Sequence, residues 1–199
     1  MAGARRLPRA ARRAQLIEAA ASAFLRRGYD KTSMEDVAQV AGVSRLIVYR
    51  NFDSKDDLYR QVLRQLLAEL GEAFSGLSFE DVAERGAPTV VLPVARAHPD
   101  AFRLLWRDAW HEPAFADLFE EFRTYVTVYA RAILSGFIAD ELRLDWAARS
   151  AGDHLVGGIC NWLDDGDPAR DAEQALVMSA GLRALASAWS DRAGSAGAG

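Results

Sequence analysis

The sequence predicts an all-α protein, and three observations lead to this fold class. Ala, Leu and Arg, which favour helices, are abundant, whereas runs that alternate apolar and polar residues, as strands do, are scarce. Apolar residues recur instead at helical spacing, as they do at Leu16, Ala20 and Phe24. Gly and Pro divide the chain into helix-sized segments. With 199 residues, half of them apolar, the chain is long enough to bury a core.

Start and stop signals place four helices in the N-terminal region. Residues 1–9 are expected to form a flexible basic arm, and Pro8 suits the first position of a helix that runs to Arg27. Ser33, with Asp36 three residues later, has the spacing of a capping box at the start of a second helix. The further stops and caps lie at Gly28, Gly42, Ser44 and Ser54. Together these signals predict helices over about 8–27, 33–42, 44–51 and 54–72.

Gly and Pro also break the C-terminal region into helices. An irregular helical stretch is expected over residues 79–97, with an interruption at Gly86. Further helices are predicted over about 100–111, 113–135, 140–163 and 168–189. The last ten residues, 190–199, are small and polar and are predicted to be disordered.

Charge is distributed unevenly along the chain. Residues 1–60 contain 12 Lys and Arg against 7 Asp and Glu, a net charge of +5, whereas the whole chain has a net charge of −4. A basic first third on an acidic body indicates that only the first third meets a polyanion, although a solvated charged surface would give the same count. No apolar run reaches the roughly 20 residues of a membrane span, and no secretory signal is present. With its single cysteine, Cys160, the chain is expected to be cytoplasmic.

The segment MEDVAQVAGVSRLIVYRNF, residues 34–52, has the features of a helix-turn-helix. Ala38 is small where two helices must approach closely, and Gly42 lies in the turn, where a positive φ is needed. The apolar side of the motif consists of Val37, Ala41, Val43 and Val48. A structural helical hairpin is the alternative. The helix-turn-helix interpretation predicts that the second helix of the motif enters the major groove of DNA.

Three stretches resemble the signature of the TetR family of regulators: RRAQLIEAAASAFLRRGYDKTS (12–33), KTSMEDVA (31–38) and AGVSRLIVYRNFDSKDDLY (41–59). The resemblance implies a three-helix DNA-binding domain over residues 10–54, followed by a helical domain over residues 55–189 that dimerises and binds a small-molecule effector. One departure concerns Leu46 and Ile47, because many members carry Gly or Pro and then a small hydroxyl residue at these two positions.

The candidate DNA-binding residues combine family positions with side-chain chemistry. They are Thr32, Ser33, Ser44, Arg45, Ile47, Tyr49, Arg50 and Lys55. Arg45 and Arg50 are long donors that can reach guanine edges or phosphates. By resemblance, Tyr49 and Lys55 contact the DNA backbone, and Thr32 and Ser33 either contact phosphate or only cap a helix. The arginines of the N-terminal segment either follow the minor groove or only solubilise the chain; they are Arg5, Arg6, Arg9, Arg12 and Arg13.

All five tryptophans and many other aromatic residues lie in the second half of the chain. Aromatic residues at helical spacing are usually core, but the resemblance implies a pocket between these helices. An apolar pocket suits a hydrophobic or amphipathic ligand. The candidate ligand-binding residues are Phe102, Trp106, Trp110, His111, Tyr125, Tyr129, His154 and Asn161.

The last two predicted helices carry many small residues, which permit close helix packing. They are Gly152, Gly157, Gly158, Ala175, Ser179, Gly181, Ala184 and Ala186. Packing within one chain would explain them, but the resemblance implies a homodimer in which this helix pair forms a four-helix bundle with its copy.

These observations predict a transcription regulator, and no catalytic motif, metal-ligand spacing or cofactor motif supports an enzyme. We expect a repressor that binds a palindromic operator in double-stranded DNA as a homodimer and is released by a small-molecule effector. It needs no cofactor, metal or membrane. An activator of the same architecture is one alternative. A small-molecule binding protein or helical enzyme that has lost DNA binding is another, and the intact basic first third argues against it.

Overall fold

The computed structural model describes residues 7–190, and all regular elements among them are helical, as predicted. They are α1 (Arg9–Arg27), α2 (Met34–Ala41), α3 (Arg45–Tyr49), α4 (Lys55–Phe74), α5 (Phe79–Arg85), α6 (Ala87–Ala97), α7 (Pro99–Arg107), α8 (Ala116–Leu134), α9 (Glu141–Asp165) and α10 (Asp171–Trp189). Short 3₁₀ turns at Ala109–His111 and Pro168–Arg170 precede α8 and α10. Most of the predicted arm (1–9) and tail (190–199) lies outside the described residues. Within that part of the chain, no helix combines the length and apolarity of a membrane span.

Side-chain caps begin the N-terminal helices where the sequence predicts them. The Ser33 hydroxyl accepts from the Asp36 backbone amide (3.2 Å), and the Asp36 carboxylate accepts from the Ser33 amide (2.8 Å), which completes the capping box of α2. These hydrogen bonds from Ser33, assisted by Arg27, hold the pKa of the Asp36 carboxyl below its usual value. Gly42 ends α2 in the left-handed region, with φ of 65°. Ser44, in contrast, precedes α3 without a side-chain cap, so its predicted capping hydrogen bond is not formed.

One continuous core joins the N-terminal helices to most of the C-terminal ones. Leu16 and Phe24 of α1 pack with Val37 and Val48 of α2 and α3, and the same cluster extends along α4 into α6, α7, α8 and α9. α1 contacts α7 as well as α2 and α4. The two predicted domains, 10–54 and 55–189, are therefore not separated by a solvated linker. A smaller second core between α8 and α9 surrounds Ile138 and Leu144.

Four aromatic residues fill the point where the N-terminal helices meet the segment before α8, and we call them the junction cluster. They are Phe24, Tyr29, Tyr59 and Phe115. The Phe115 ring lies 4.3 Å from the Tyr59 ring and 5.1 Å from the Tyr29 ring, measured between centroids. Arg60 donates to the Asp117 carboxylate (2.7 Å), which adds a second link across the same boundary. Burial raises the pKa of the Tyr59 phenol.

The junction cluster also explains where the predicted helix boundaries are wrong. The sequence predicts one helix from Pro113, but α8 begins at Ala116. Phe115 is buried in the cluster, and Arg60 donates to the Ala114 carbonyl, so this segment is held in an irregular conformation. The predicted helix 100–111 likewise ends as α7 at Arg107 and continues as a 3₁₀ turn. Long-range packing here overrides the local helical preference.

Candidate DNA-binding face and ligand cavity

The short helix α3 is anchored by one side and exposed on the other. Val48 is fully buried and fixes the orientation of the helix. Leu46 is 58% exposed and Tyr49 is 42% exposed, and Arg45 and Arg50 are exposed beside them. We call these four residues, Arg45, Leu46, Tyr49 and Arg50, the recognition face. It presents two cations, a phenol and an aliphatic group on one surface.

Two of these side chains are paired and one is free. The Arg45 guanidinium donates to the Tyr49 hydroxyl (3.2 Å) and lies 5.1 Å from the centre of its ring. This hydrogen bond raises the pKa of Arg45, and the pair is positioned on the surface before any ligand arrives. Within residues 7–190 the Arg50 side chain makes no hydrogen bond or ion pair, so its donors are available to an outside acceptor.

Ile47, which the sequence suggested as a DNA contact, is half-buried and packs against the core. Leu46, which was not among the candidates, is the exposed aliphatic residue of α3 instead. Helical spacing could have revealed this. Leu46 lies two positions before the buried Val48 and therefore nearly opposite it on the helix, whereas Ile47 lies between them. The aliphatic contribution of α3 to the recognition face therefore comes from Leu46.

Two predicted phosphate contacts have structural roles. Thr32 is 2% exposed, and its hydroxyl donates to the carbonyls of Gly28 (2.7 Å) and Ala23 (3.3 Å), so it closes the end of α1 and does not reach solvent. The Lys55 ammonium donates to the Tyr29 carbonyl (3.0 Å) and lies 4.1 Å from the centre of the Tyr29 ring. Lys55 thus ties the start of α4 to the end of α1, which explains a cation at a helix N-terminus.

Ser33, Ser44 and the N-terminal arginines differ in how free they are. Ser33 is exposed, but its hydroxyl donates to Asp36 (2.6 Å), whereas the exposed Ser44 makes no capping bond. Arg13 donates to the Asn51 carbonyl (2.7 Å) and stacks over Phe52 at 4.3 Å, so it braces the helix-turn-helix. Arg5 and Arg6 lie outside the described residues.

A cavity of about 650 Å³ lies in the C-terminal region between the end of α4 and helices α5, α6, α8, α9 and α10. Its volume falls in the range of about 300–1,000 Å³ that small-molecule sites occupy. Most of its wall is aliphatic or aromatic; representative residues are Leu70, Phe74, Val91, Phe122, Tyr125, Val126, Tyr129, Ile133, Ala151 and Leu155. The cavity suits an apolar ligand body.

Tyr125 and Tyr129 are the two predicted ligand-binding residues that line this cavity. They lie one helical turn apart on α8, with ring centroids separated by 4.8 Å, and Phe74 packs against both rings. Burial and the hydrogen bond with Tyr129 raise the pKa of Tyr125, so the Tyr125 phenol is neutral near pH 7. Because each phenol carries a polar hydroxyl on an apolar ring, the pair offers the cavity a polar contact within an apolar wall.

The other six predicted ligand-binding residues lie elsewhere. Phe102 is buried in the main core, and Trp106 packs on Phe119 outside the cavity. Trp110 is 53% exposed and stacks on the exposed His111. His154 and Asn161 are exposed on α9, whose cavity side consists of other residues, among them Leu155. Periodicity shows that aromatic residues share one face of a helix, but it does not show whether that face meets the core, the cavity or solvent.

α10 contributes polar lining residues that were not among the predicted ligand-binding residues. Ser179, Arg183 and Ser187 follow one another at intervals of one turn and all line the cavity. Ser179 is buried, and its hydroxyl donates to the Ala175 carbonyl (2.7 Å). Only Ala175 and Ser179 of this helix are buried, so much of its surface is exposed in the single chain.

The outward side of α10 is apolar, and we call it the α10 face. Leu176 is 60% exposed and Val177 is 57% exposed, and Ala180 and Ala184 are exposed one and two turns further on. Between Glu173 and Arg183 the helix carries no charged residue. A contiguous apolar surface of this kind marks an interaction site.

Comparisons with known proteins agree with this architecture. Residues 16–62 match the model for bacterial regulatory proteins of the tetR family. The HTH-type transcriptional activator FasR of Mycolicibacterium smegmatis is 47% identical over 60 residues, which cover 30% of this chain and 27% of FasR. The HTH-type transcriptional repressor KstR2 of Rhodococcus jostii is 37% identical over 59 residues, which cover 30% of this chain and 29% of KstR2. The matched region thus spans little more than a quarter of either relative.

A solved structure extends the likeness to the whole fold. The crystal structure of a TetR-like transcriptional regulator from Rhodococcus sp. RHA1 matches 96% of this chain and 100% of its own, with a TM-score of 0.72 and 23% sequence identity. The described residues thus place a helix-turn-helix near the N-terminus of a helical fold, which is the arrangement that helix-turn-helix proteins use to contact DNA. Residues 16–62 are similar to the N-terminal region of TetR-family regulators, and the chain as a whole shares the fold of the Rhodococcus regulator.

Proposed function

We propose that the protein is a repressor that binds double-stranded operator DNA as a homodimer and is released by a small amphipathic effector. The recognition face carries this proposal. An α-helix fits the major groove, and Arg50 can donate two hydrogen bonds to a guanine edge. Arg45 and Tyr49, already paired, would contact the DNA backbone at the side of the groove. Such a protein acts in the cytoplasm, where the bacterial chromosome lies.

Leu46 adds an apolar contact to the proposed interface. In the major groove the only apolar group on a base edge is the thymine methyl, and aliphatic side chains read it by contact. Leu46 is the exposed aliphatic residue between Arg45 and Arg50. We therefore expect a thymine next to the guanine read by Arg50 in each half of the operator.

The α10 face supports the homodimer. Two copies can bury Leu176 and Val177 against each other across a two-fold axis, which removes an apolar surface from water. The small Ala180 and Ala184 permit close approach of the two helices. A two-fold dimer places its recognition helices about 34–36 Å apart or a multiple of this, so the expected operator is a palindrome.

Helix α4 links the proposed ligand site to the proposed DNA interface. Its first turn is tied to the N-terminal helices by Lys55 and Tyr59, and its last turns supply Leu70 and Phe74 to the cavity wall. A ligand that moves the end of α4 would therefore move its start and, through the junction cluster, α1. Such a ligand acts only through different affinities for the two conformations, and the typical coupling is about 1–3 kcal/mol in both directions.

Selection of binding sites from a randomised DNA library with the full chain tests this proposal. We expect enrichment of a palindrome whose half-sites contain a guanine, with specific binding at least about a thousandfold tighter than binding to unrelated DNA. A reporter gene placed behind the selected palindrome should then fall in expression when the protein is present. Failure to enrich any sequence would contradict DNA recognition, and a rise in expression would identify an activator instead.

A further inference from the structure

The cavity has a single charged side chain in its wall. Among the described residues that line it, Arg183 is charged and the others are apolar residues, serines, two tyrosines and a tryptophan. No carboxylate faces the cavity from α4, α5, α6, α8 or α9 in that part of the chain. Arg183, which is exposed, therefore presents a positive charge at the cavity that no carboxylate of the described residues compensates there.

Arg183 is one of several arginines of the C-terminal region that have no carboxylate partner within residues 7–190. Others are paired with carboxylates, among them Arg96, Arg103, Arg107, Arg123, Arg131 and Arg170. Arg183 forms no hydrogen bond and no ion pair within residues 7–190. Glu173, an acidic residue of the same helix, lies ten residues away, which is about 15 Å along the axis. Within residues 7–190, all donors of the Arg183 guanidinium are thus free.

Arg183 and Ser187 form a polar strip on the cavity side of α10. Ser187 lies four residues after Arg183, so the two side chains share one face of the helix at the cavity. A guanidinium binds a carboxylate or phosphate through two parallel hydrogen bonds, and a serine hydroxyl can donate a third. The strip has the hydrogen-bond donors of an anion site. The opposite walls, which include Phe74 and Ile133, carry no charged residue among the described lining.

From these features we propose that the effector is an amphipathic anion: its apolar body fills the cavity and its single carboxylate or phosphate pairs with Arg183. This inference rests on the proposed function, because it assumes that the cavity is the effector site. The apolar walls provide affinity that grows with the length of the body. Arg183 selects the head group, because it would attract an anion, be indifferent to an alcohol and repel an amine.

Three probes with the same twelve-carbon chain test the head group: dodecanoate, 1-dodecanol and dodecylamine, titrated into the full chain below their aggregation concentrations. We expect dodecanoate to bind roughly tenfold or more tightly than dodecanol, as a charge-assisted hydrogen bond predicts, and dodecylamine to bind most weakly. Shortening dodecanoate should lower its affinity by roughly fourfold per methylene. Equal binding of the acid and the alcohol would overturn the inference.

Matched variants assign any preference to Arg183. Arg183→Gln should reduce dodecanoate affinity to that of dodecanol and leave dodecanol unchanged, whereas Arg183→Lys should retain part of the difference. Arg64→Gln, on the exposed side of α4 away from this cavity, should change neither. Ala151→Phe, which fills the cavity, should weaken the binding of dodecanoate and dodecanol alike and so show that both bind in the cavity. An anion preference that survives Arg183→Gln, or no binding of any probe, would contradict the proposal.

The outcome of the ligand titration does not depend on the outcome of the DNA selection. A chain that binds dodecanoate through Arg183 but enriches no DNA sequence would keep the ligand class and lose the proposed repressor function. A chain that selects a palindrome but discriminates no head group would lose only the ligand class. Because Arg183 is exposed, its substitution leaves the fold intact, which thermal unfolding of Arg183→Gln should verify.

Discussion

The recognition face and the α10 face are both exposed in the single chain, but they differ in chemistry. The first carries Arg45 and Arg50, whereas the second carries Leu176 and Val177 with no charge for about two and a half turns. Exposed cations cost little in water and attract a polyanion, while an exposed apolar surface gains free energy only when a second apolar surface covers it. The difference indicates two kinds of partner at opposite parts of one chain.

The two regions also differ in their match to FasR. The N-terminal region is 47% identical to FasR over 60 residues, whereas the rest of the chain lies outside that match. DNA presents the same backbone and groove dimensions everywhere, so a helix-turn-helix that fits them is constrained at many positions. A ligand cavity has to match only its own ligand, and many sets of apolar side chains can enclose one.

The largest expected effect concerns the core that joins the two regions. Phe115→Ala should lower the free energy of unfolding by about 3–5 kcal/mol, because it empties the centre of the junction cluster. Chemical denaturation followed by both fluorescence and circular dichroism should show one transition. The control, Trp110→Ala, alters a side chain that is 53% exposed and should change stability by no more than about 0.5 kcal/mol. Two separate transitions would show that the regions fold independently.

The next effect tests the apolar surface. Val177→Asp buries a charge in the proposed dimer interface, so the chain should sediment as a monomer at micromolar concentration and lose the bivalent part of its DNA affinity, a factor of about 100 or more. Val128→Asp on α8 is a matched control, since Val128 is 52% exposed but lies outside the α10 face. If both variants remained dimeric, the two-fold axis would lie elsewhere.

A smaller effect tests the charged surface. Arg50→Ala should cost about 1–3 kcal/mol on the selected operator and relax the preference at one base pair of each half-site. Titrations at several salt concentrations, repeated on unrelated DNA, separate base reading from phosphate binding. Arg26→Ala, at the exposed end of α1, serves as the control. Equal losses on operator and unrelated DNA would assign Arg50 to the phosphate backbone.

The smallest expected effect concerns the aliphatic group among these charges. Leu46→Ala should cost about 0.8 kcal/mol if the side chain contacts one thymine methyl. Replacing that thymine by deoxyuridine removes the methyl and should have the same cost for the original chain and none for the variant. Ile47→Ala should lower stability instead, because Ile47 packs on the core. If Leu46→Ala and the deoxyuridine replacement, combined in one complex, gave additive losses of affinity, the contact between Leu46 and the thymine methyl would be excluded.

Local signals in the sequence were sufficient for the elements of the N-terminal region. Ser33 with Asp36 and Gly42 bound α2, and Ser54 begins α4, because capping hydrogen bonds and a left-handed turn involve residues only a few positions apart. Pattern also placed Tyr125 and Tyr129 on one face of a helix, one turn apart. The resemblance to the TetR family lies in the same stretch of chain, since residues 16–62 carry the match.

Tertiary contacts decided the rest. The resemblance implies phosphate contacts at Lys55 and Thr32. The hydrogen bonds of these side chains to the carbonyls of Tyr29 and Gly28 depend in addition on how α1 meets α4 and α2. The arrangement of six helices decides which aromatic residues line the cavity. It also places Arg183 there with no carboxylate partner among residues 7–190. Periodicity tells which side of a helix turns inward, whereas the neighbour that this side meets is set by packing between segments far apart in the chain.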